Sequence, residues 1–140
     1  MSDKVIIYSR EDGGVSVIHP ADATLSMEKI AEISVPSGTS YKIVNASSIP
    51  SDRIFRNAWK EGSTKVSVDI PKAKELTHEA RRFARDGEMA PFDLKVTIPD
   101  ESAAAEAERV KLRKKYADLQ TEIDASSTET ALKSVMKKLP

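Results

Sequence analysis

The chain has 140 residues, and its 22 Lys or Arg balance 22 Asp or Glu, so the formal net charge is zero. This balance excludes a long-range field that would draw the whole molecule to nucleic acid or to an anionic membrane, so such binding has to be local. Because the chain has no cysteine, disulfides, thiolate catalysis and thiolate metal sites are excluded. Only 5% of the residues are aromatic and 31% are charged, which favours a thin core and much solvated or partner-facing surface.

The first residues predict a β-hairpin. Residues 4–9 and 15–19 are rich in β-branched and apolar side chains, and Gly13 and Gly14 lie in the loop between them. Glycine supplies the positive φ that a tight reversal needs. No apolar run reaches the roughly 20 residues that span a bilayer, and the start has too short an apolar stretch for a signal peptide. We therefore expect a protein of the cytoplasm with no membrane contact.

A short helix and a third strand are predicted next. Ser26 is placed as an N-cap, and Leu25 and Ile30 occupy the two positions of a hydrophobic staple, so a helix should run from residue 27 to about 33. Residues 41–44 alternate and include β-branched side chains, which indicates a strand.

The only tryptophan, Trp59, lies in the segment DRIFRNAWK, residues 52–60. Asp52 is placed to cap a short helix, on which Phe55 and Trp59 share one face while the basic residues mostly lie elsewhere. A base-stacking surface would need aromatic and basic side chains together, so we expect Phe55 and Trp59 to anchor a core or a partner. The alternation of residues 65–68 allows a fourth short strand.

Residues 72–85 predict an amphipathic helix. Its apolar residues recur at spacings of three and four: Ala73, Leu76, Ala80 and Phe83. The remaining faces carry Lys74, Arg81, Arg82 and Arg85. Asp86, Gly87 and Pro91 are expected to interrupt this helix, and residues 92–98 are predicted to be a strand or an extended linker.

The strongest periodic pattern runs from residue 101 to about 123. Its spacing alternates between four and three, over Ala105, Arg109, Leu112, Tyr116, Leu119 and Ile123. Because this heptad stripe is short and Arg109 interrupts it, it has to pack against another surface. We expect Leu112, Tyr116, Leu119 and Ile123 to form an apolar seam, either against partner helices or against a final helix. That helix is predicted to open with a capping box at residues 126–129.

Residues suited to catalysis are scarce. His19 has Asp22 nearby, but no further residue with ligand spacing identifies a metal site. The glycines form no phosphate-cradling pattern. We therefore expect no catalytic residue, no metal and no cofactor, and a small hydrolase or lyase centred on His19 is the weaker enzyme alternative.

One basic segment supports an alternative function. Five cations lie within seven residues, namely Arg109, Lys111, Arg113, Lys114 and Lys115. They are sufficient for a phosphate-contacting stripe, which would make the chain a nucleic-acid-binding regulator. Acidic residues stand close by, and such a run is more often a solvated helix face, so we expect nucleic acid not to be the partner.

Several motifs carry a resemblance. They are V-I-x-Y with I-H-P at residues 5–8 and 18–20, V-P-x-G-x-x-Y-K-I-V at 35–44, I-P-x-D-R-x-F-R-x-A-W at 49–59, V-D-I-P-K-A-K-E at 68–75 and K-L-R at 111–113. In these motifs the chain resembles a family of small proteins of tailed bacteriophages and prophages associated with tail fibre or baseplate genes. It departs from that family at residues 86–91, which interrupt a helix that such proteins tend to continue.

The resemblance implies a tail-region protein without catalytic residues. We expect an α+β fold with a ββαβ head at residues 1–50, a connector with a short helix and possible strand at 51–68, and a helical C-terminal arm or bundle at 69–140. The expected function is non-catalytic: a structural adaptor or assembly chaperone that binds tail fibre or baseplate subunits, with homo-oligomers as a further option. It would be found in the host cytoplasm during assembly and, as an adaptor, in the virion tail.

Overall fold

A computed structural model describes residues 3–21 and 24–140, so the predicted neighbour of His19, Asp22, lies outside the described residues. By its internal contacts the chain divides after Asp69 into two compact units. Strands dominate the first unit and helices the second, which confirms the predicted α+β class. The division groups residues 51–68, predicted as a connector, with the N-terminal unit.

A three-stranded antiparallel sheet forms the centre of the N-terminal unit, with strand order β2-β1-β3. Its strands are β1 (Lys4–Ser9), β2 (Val15–Ile18) and β3 (Lys42–Asn45). Ile6 on β1 lies opposite Ile18 of β2 and Ile43 of β3. The predicted hairpin is therefore confirmed, and Gly13 in its loop has a φ of 83°, a backbone conformation that glycine adopts without strain.

Both faces of this sheet are covered. Helix α1 (Met27–Ser34) is capped by Ser26, whose side chain accepts a hydrogen bond from the Lys29 amide at 3.1 Å. It contributes Ile30 to a cluster with Ile6. Side chains alternate along a strand, so the neighbour of Ile6, Ile7, lies on the opposite face, and both residues are 0% exposed.

The predicted helix over residues 52–60 is wrong. Only Arg56–Ala58 form a 3-10 turn, and Trp59 begins strand β4 (Trp59–Glu61), which pairs with β5 (Val66–Val68). Asp52 accepts a hydrogen bond from the Ile54 amide at 3.2 Å, which is the bonding of a turn and not of a helix cap. Pairing with β5 supplies the backbone hydrogen bonds that so short a helix would lack.

The C-terminal unit consists of three helices: α2 (Ile70–Lys95), α3 (Ser102–Ala125) and α4 (Glu129–Lys138). Side-chain contacts show that α2 and α3 are antiparallel, since the His78 ring lies 2.8 Å from Asp124 at one end and Arg109 lies 2.9 Å from Asp93 at the other. Helix α4 packs on both of them. Among the described residues, no helix has the length and apolar character to cross a membrane.

Helix α2 continues through the segment that was expected to interrupt it. The predictions of a break at residues 86–91 and of a strand or linker at 92–98 are wrong, because α2 ends only at Lys95. Packing explains the continuity: Met89, within the expected break, is only 6% exposed. Such tertiary contacts offset the cost of about 1 kcal/mol for Gly87 and about 3 kcal/mol for Pro91.

The buried face of α2 also differs from the predicted one. Thr77 is 0% exposed and Arg81 is 8% exposed, whereas Phe83 is 83% exposed. The Thr77 hydroxyl donates to the Ala73 carbonyl at 2.7 Å, so its burial leaves no unpaired donor. Helix α2 thus presents a small and polar face inwards and a large aromatic residue outwards.

The start of α4 lies two residues later than the predicted capping box. Thr128 is the N-cap and accepts from the Ala131 amide at 3.1 Å. Ser126 instead ends α3, where its hydroxyl donates to the Glu122 carbonyl at 2.7 Å. The predicted final helix is confirmed, but its cap was assigned to the wrong hydroxyl.

Replacing Phe55 by Ala tests the core of the N-terminal unit. Because Phe55 is 1% exposed, we expect Phe55→Ala to lower the free energy of unfolding by about 3 to 5 kcal/mol. Urea unfolding followed by Trp59 fluorescence measures this loss. Ile54→Ala is the matched control, since Ile54 is 40% exposed and should lose much less. Equal losses in the two variants would contradict the burial of Phe55.

Candidate functional site

The two predicted aromatic anchors lie inside the N-terminal unit. Phe55 is 1% and Trp59 is 3% exposed. The guanidinium carbon of Arg56 lies 4.4 Å from the centre of the Trp59 ring, a cation–π contact that covers one ring face. In this structure both aromatic side chains are therefore used for packing within the chain.

The predicted seam of α3 lies inside the C-terminal unit. Tyr116, Leu119 and Ile123 are 1%, 6% and 0% exposed, and Leu112 is half-buried. Since α3 packs against both α2 and α4, the seam has its covering surface within the chain. The sequence left open partner helices or the final helix as the covering surface, and it did not anticipate α2, on which α3 packs in this structure.

A charged group adjoins this seam where Tyr116 meets α2. Burial, followed by the neighbouring Glu88 carboxylate, raises the pKa of Tyr116 to about 12. Burial acts to raise the pKa of Glu88 as well, but Tyr116 and Lys115 outweigh it and hold that pKa below its ordinary value. Lys115 lies 3.1 Å from Glu88, and this ion pair joins α2 to α3.

The basic segment of α3 is neutralised within the chain. Each of its five cations has a carboxylate oxygen between 2.8 and 3.2 Å away. The pairs are Arg109 with Asp93 and Glu106, Lys111 with Glu108, Arg113 with Glu106, Lys114 with Asp118, and Lys115 with Glu88. A phosphate backbone would have to displace these carboxylates, which weakens the nucleic-acid alternative.

His19 lines an open pocket of about 500 Å³ in the N-terminal unit. Arg53, Arg56 and Ser47 contribute to the same pocket, and none of its lining residues carries a carboxylate. The described residues contain no group of three His, Cys, Asp or Glu that could hold a metal ion. Among the described residues, the structure therefore places neither a carboxylate in this pocket nor a metal-binding group at His19.

An apolar stripe on α2 is the most distinctive exposed feature of the C-terminal unit. We define the α2 stripe as six residues at alternating spacings of four and three: Leu76, Ala80, Phe83, Gly87, Ala90 and Leu94. Phe83 is 83% and Leu94 is 69% exposed, and Gly87 and Ala90 are exposed too. This spacing places the six residues along one continuous line on the helix surface, as in a coiled coil.

The first part of the stripe borders a groove beside α4. The groove has a volume of about 440 Å³ and is lined on the α2 side by Leu76, Ala80 and Phe83. Met136 and Leu139, at the end of α4, form the other side. The groove ends near Phe83: the later stripe residues Gly87, Ala90 and Leu94 do not line it and are exposed on the helix surface.

No backbone conformation or close contact within the described residues requires glycine at position 87, in the middle of the stripe. It has a helical backbone without positive φ, and a Cβ atom placed on it would meet nothing within 4 Å. A mid-helix glycine costs about 1 kcal/mol relative to alanine. The close approach of another backbone is a common use of such a glycine.

A row of acids runs beside the stripe. Glu79, Asp86 and Asp93 are spaced seven apart and directly precede stripe residues Ala80, Gly87 and Leu94. All three acids are exposed. Asp93 pairs with Arg109 of α3, and Asp86 lies 3.8 Å from Arg85. The stripe is therefore bordered by negative charge on one side.

The predicted amphipathic helix of residues 72–85 already includes Leu76, Ala80 and Phe83 among its apolar residues. The expected break at residues 86–91 hides the continuation of this pattern to Leu94. The pattern that reveals the stripe is the unbroken four-three spacing across Gly87 and Ala90.

Comparison of the chain with family models, with curated proteins and with solved structures found no match.

Replacing Gly87 by Ala tests whether the stripe is open. Because the added methyl group meets no neighbour, we expect Gly87→Ala to raise the free energy of unfolding by up to about 1 kcal/mol. Urea unfolding followed by circular dichroism at 222 nm measures this change. Gly62→Ala is the control with the opposite sign, since its Cβ would lie 2.6 Å from the Lys65 carbonyl oxygen. A loss of stability in Gly87→Ala would contradict an open stripe.

Proposed function

We propose that this chain is a non-catalytic interaction protein of a phage tail. It binds a helix of a tail fibre or baseplate subunit along the α2 stripe, as a structural adaptor or an assembly chaperone. The phage context rests on the sequence resemblance. The binding mode rests on the α2 stripe, where Phe83 and Leu94 are exposed about three helical turns apart, with the small residues Gly87 and Ala90 between them.

The exposure of Phe83 and Leu94 is the observation that carries the proposal. Large apolar side chains clustered on one surface of a soluble protein commonly mark an interaction site. Laying an amphipathic helix on the stripe would bury both side chains and would let its backbone approach Gly87 closely. Buried aromatic residues are frequent anchors of such interfaces.

The acidic row favours a helix of a different protein over a second copy of this chain as the occupant of the stripe. An antiparallel second copy would place Glu79, Asp86 and Asp93 against the same three acids, which is repulsive. A parallel second copy would place them opposite the positions of Thr77, Ala84 and Pro91, of which the first two are buried within the unit and none carries a cation. A helix of a different protein, apolar along one line and flanked by Lys or Arg, is complementary to both features.

A purified complex tests this function. The chain is co-expressed with each tail fibre and baseplate subunit of the phage genome that encodes it, and complexes are measured by size-exclusion chromatography with light scattering. We expect Phe83→Asp with Leu94→Asp to abolish the complex, because two charges would be placed in an apolar interface. The double variant should remain folded, since both positions are exposed.

Val110→Asp is the matched control. Val110 is 54% exposed and lies on α3, outside the α2 stripe, so this variant adds a charge without touching the proposed surface. It should bind like the unchanged chain. A complex that survives in the double variant, or the absence of a complex with every fibre and baseplate subunit, would overturn the proposal. Where a complex forms, the presence of the chain in purified virions distinguishes an adaptor, which is retained, from a chaperone, which is not.

A further inference from the structure

Four arginines line one pocket between α2 and α3. The pocket has a volume of about 330 Å³ and receives Arg81, Arg82 and Arg85 from α2 and Arg113 from α3. The other residues that line it are uncharged: Tyr116, Ala117 and Gln120. We call this site the arginine pocket. Like charges so close together repel each other, so the arrangement requires a compensating anion or carries a cost in stability.

Arg81 is the most constrained of the four. It is 8% exposed, and its Nε donates to Nδ1 of His78 at 3.3 Å. Since Nδ1 accepts this bond, the ring proton of a neutral His78 lies on Nε2, which is 2.8 Å from Asp124. Asp124 thus orients His78, and His78 orients the guanidinium group of Arg81.

This chain of contacts does not neutralise Arg81. The contact with His78 brings no negative charge to Arg81, and among the described residues no carboxylate forms an ion pair with Arg81. Burial, and then the charges of Arg82 and Arg85, lower the pKa of Arg81, while Asp124 acts in the opposite direction. A buried cation without a counter-ion is unfavourable unless a ligand supplies the charge.

The other three arginines differ in whether a carboxylate lies close enough to balance their charge. Arg113 lies 3.0 Å from Glu106, and Arg85 lies 3.8 Å from Asp86. Arg82, like Arg81, has no ion pair among the residues that the structure describes. Two positive charges at this site are therefore left without a carboxylate partner.

We propose that the arginine pocket binds a phosphate group, either as inorganic phosphate or as the terminal group of a small phosphate ester. A phosphate group carries about −1.5 to −2 charges at pH 7, which matches the two uncompensated arginines. The planar guanidinium groups present paired donors that suit phosphate oxygens. A single carboxylate would leave one of the two charges unmatched.

A small ligand fits this site better than a nucleic acid. A polynucleotide needs cations along its path, but Lys111, Lys114 and Lys115 of the same helix are each held by a carboxylate. The cations of α3 that would extend the site along a polynucleotide are thus already paired, whereas Arg81 and Arg82 in the arginine pocket have no ion pair among the described residues. The pocket lies apart from the α2 stripe, so the two proposals do not depend on each other.

Amide NMR of the full chain tests the site. Sodium phosphate and phenyl phosphate are titrated separately, each against sodium chloride at equal ionic strength and pH. We expect saturable shifts confined to the amides near residues 78–85 and 113–120. The tighter of the two ligands identifies the source of the phosphate group. Shifts no larger than those in chloride would overturn the proposal.

Two variants define the ligand contacts. Arg82→Gln should weaken phosphate binding at least about tenfold, because a charge-assisted contact is lost. Arg82 is exposed, so this variant should remain folded. Arg81→Met should also lose binding, and in phosphate-free buffer it should melt no lower than the unchanged chain, because it removes an uncompensated charge.

Lys114→Gln is the matched control, since it removes one exposed cation of α3 outside the arginine pocket. It should keep the affinity of the unchanged chain. Unaltered binding in Arg82→Gln would contradict the proposal. A mixed-sequence oligonucleotide that binds more tightly than phenyl phosphate and shifts the amides of Lys111 and Lys114 would also overturn it, in favour of nucleic-acid binding.

Discussion

The rotation of α2 about its own axis determines which of its side chains pack against α3 and α4 and which face solvent. Helices α3 and α4 bury large side chains, among them Tyr116 and Leu132, and α2 meets them with the smaller Ala73, Thr77 and Ala84. Interiors pack to high density, so small residues on one helix complement large residues on another. This rotation leaves Phe83 outside and brings three arginines of α2 towards α3.

The same helix therefore carries two unrelated surfaces. The α2 stripe is apolar, exposed and bordered by acids, whereas the arginine pocket is cationic and partly buried. Gly87 in the stripe and Arg81 in the pocket each carry a cost in stability that the packing of the unit does not explain. Residues that lower stability without serving the core are expected at functional sites.

Sequence patterns predicted those elements whose structure is decided locally. The first hairpin follows from a glycine loop between two β-branched runs, and α1 follows from its Ser26 cap. Tertiary contacts decided the elements that were missed. Trp59 begins a strand because residues 66–68 pair with it, a partner that lies beyond local reach. Arg81 lies inside and Phe83 outside because the inward face of α2 is chosen by the size of residues on α3 and α4, which a periodic pattern on α2 does not encode.

Solvent access to α2 side chains in the free chain tests the rotation most directly. A neutral gadolinium chelate broadens the NMR signals of side chains that solvent reaches. The Phe83 ring and the Leu94 methyl groups should broaden strongly, while the methyl groups of Leu119 and Ile123 should be protected. Protection of Phe83 and Leu94 at the level of Leu119 would contradict the account, because α2 would then bury the stripe on which the proposed function depends.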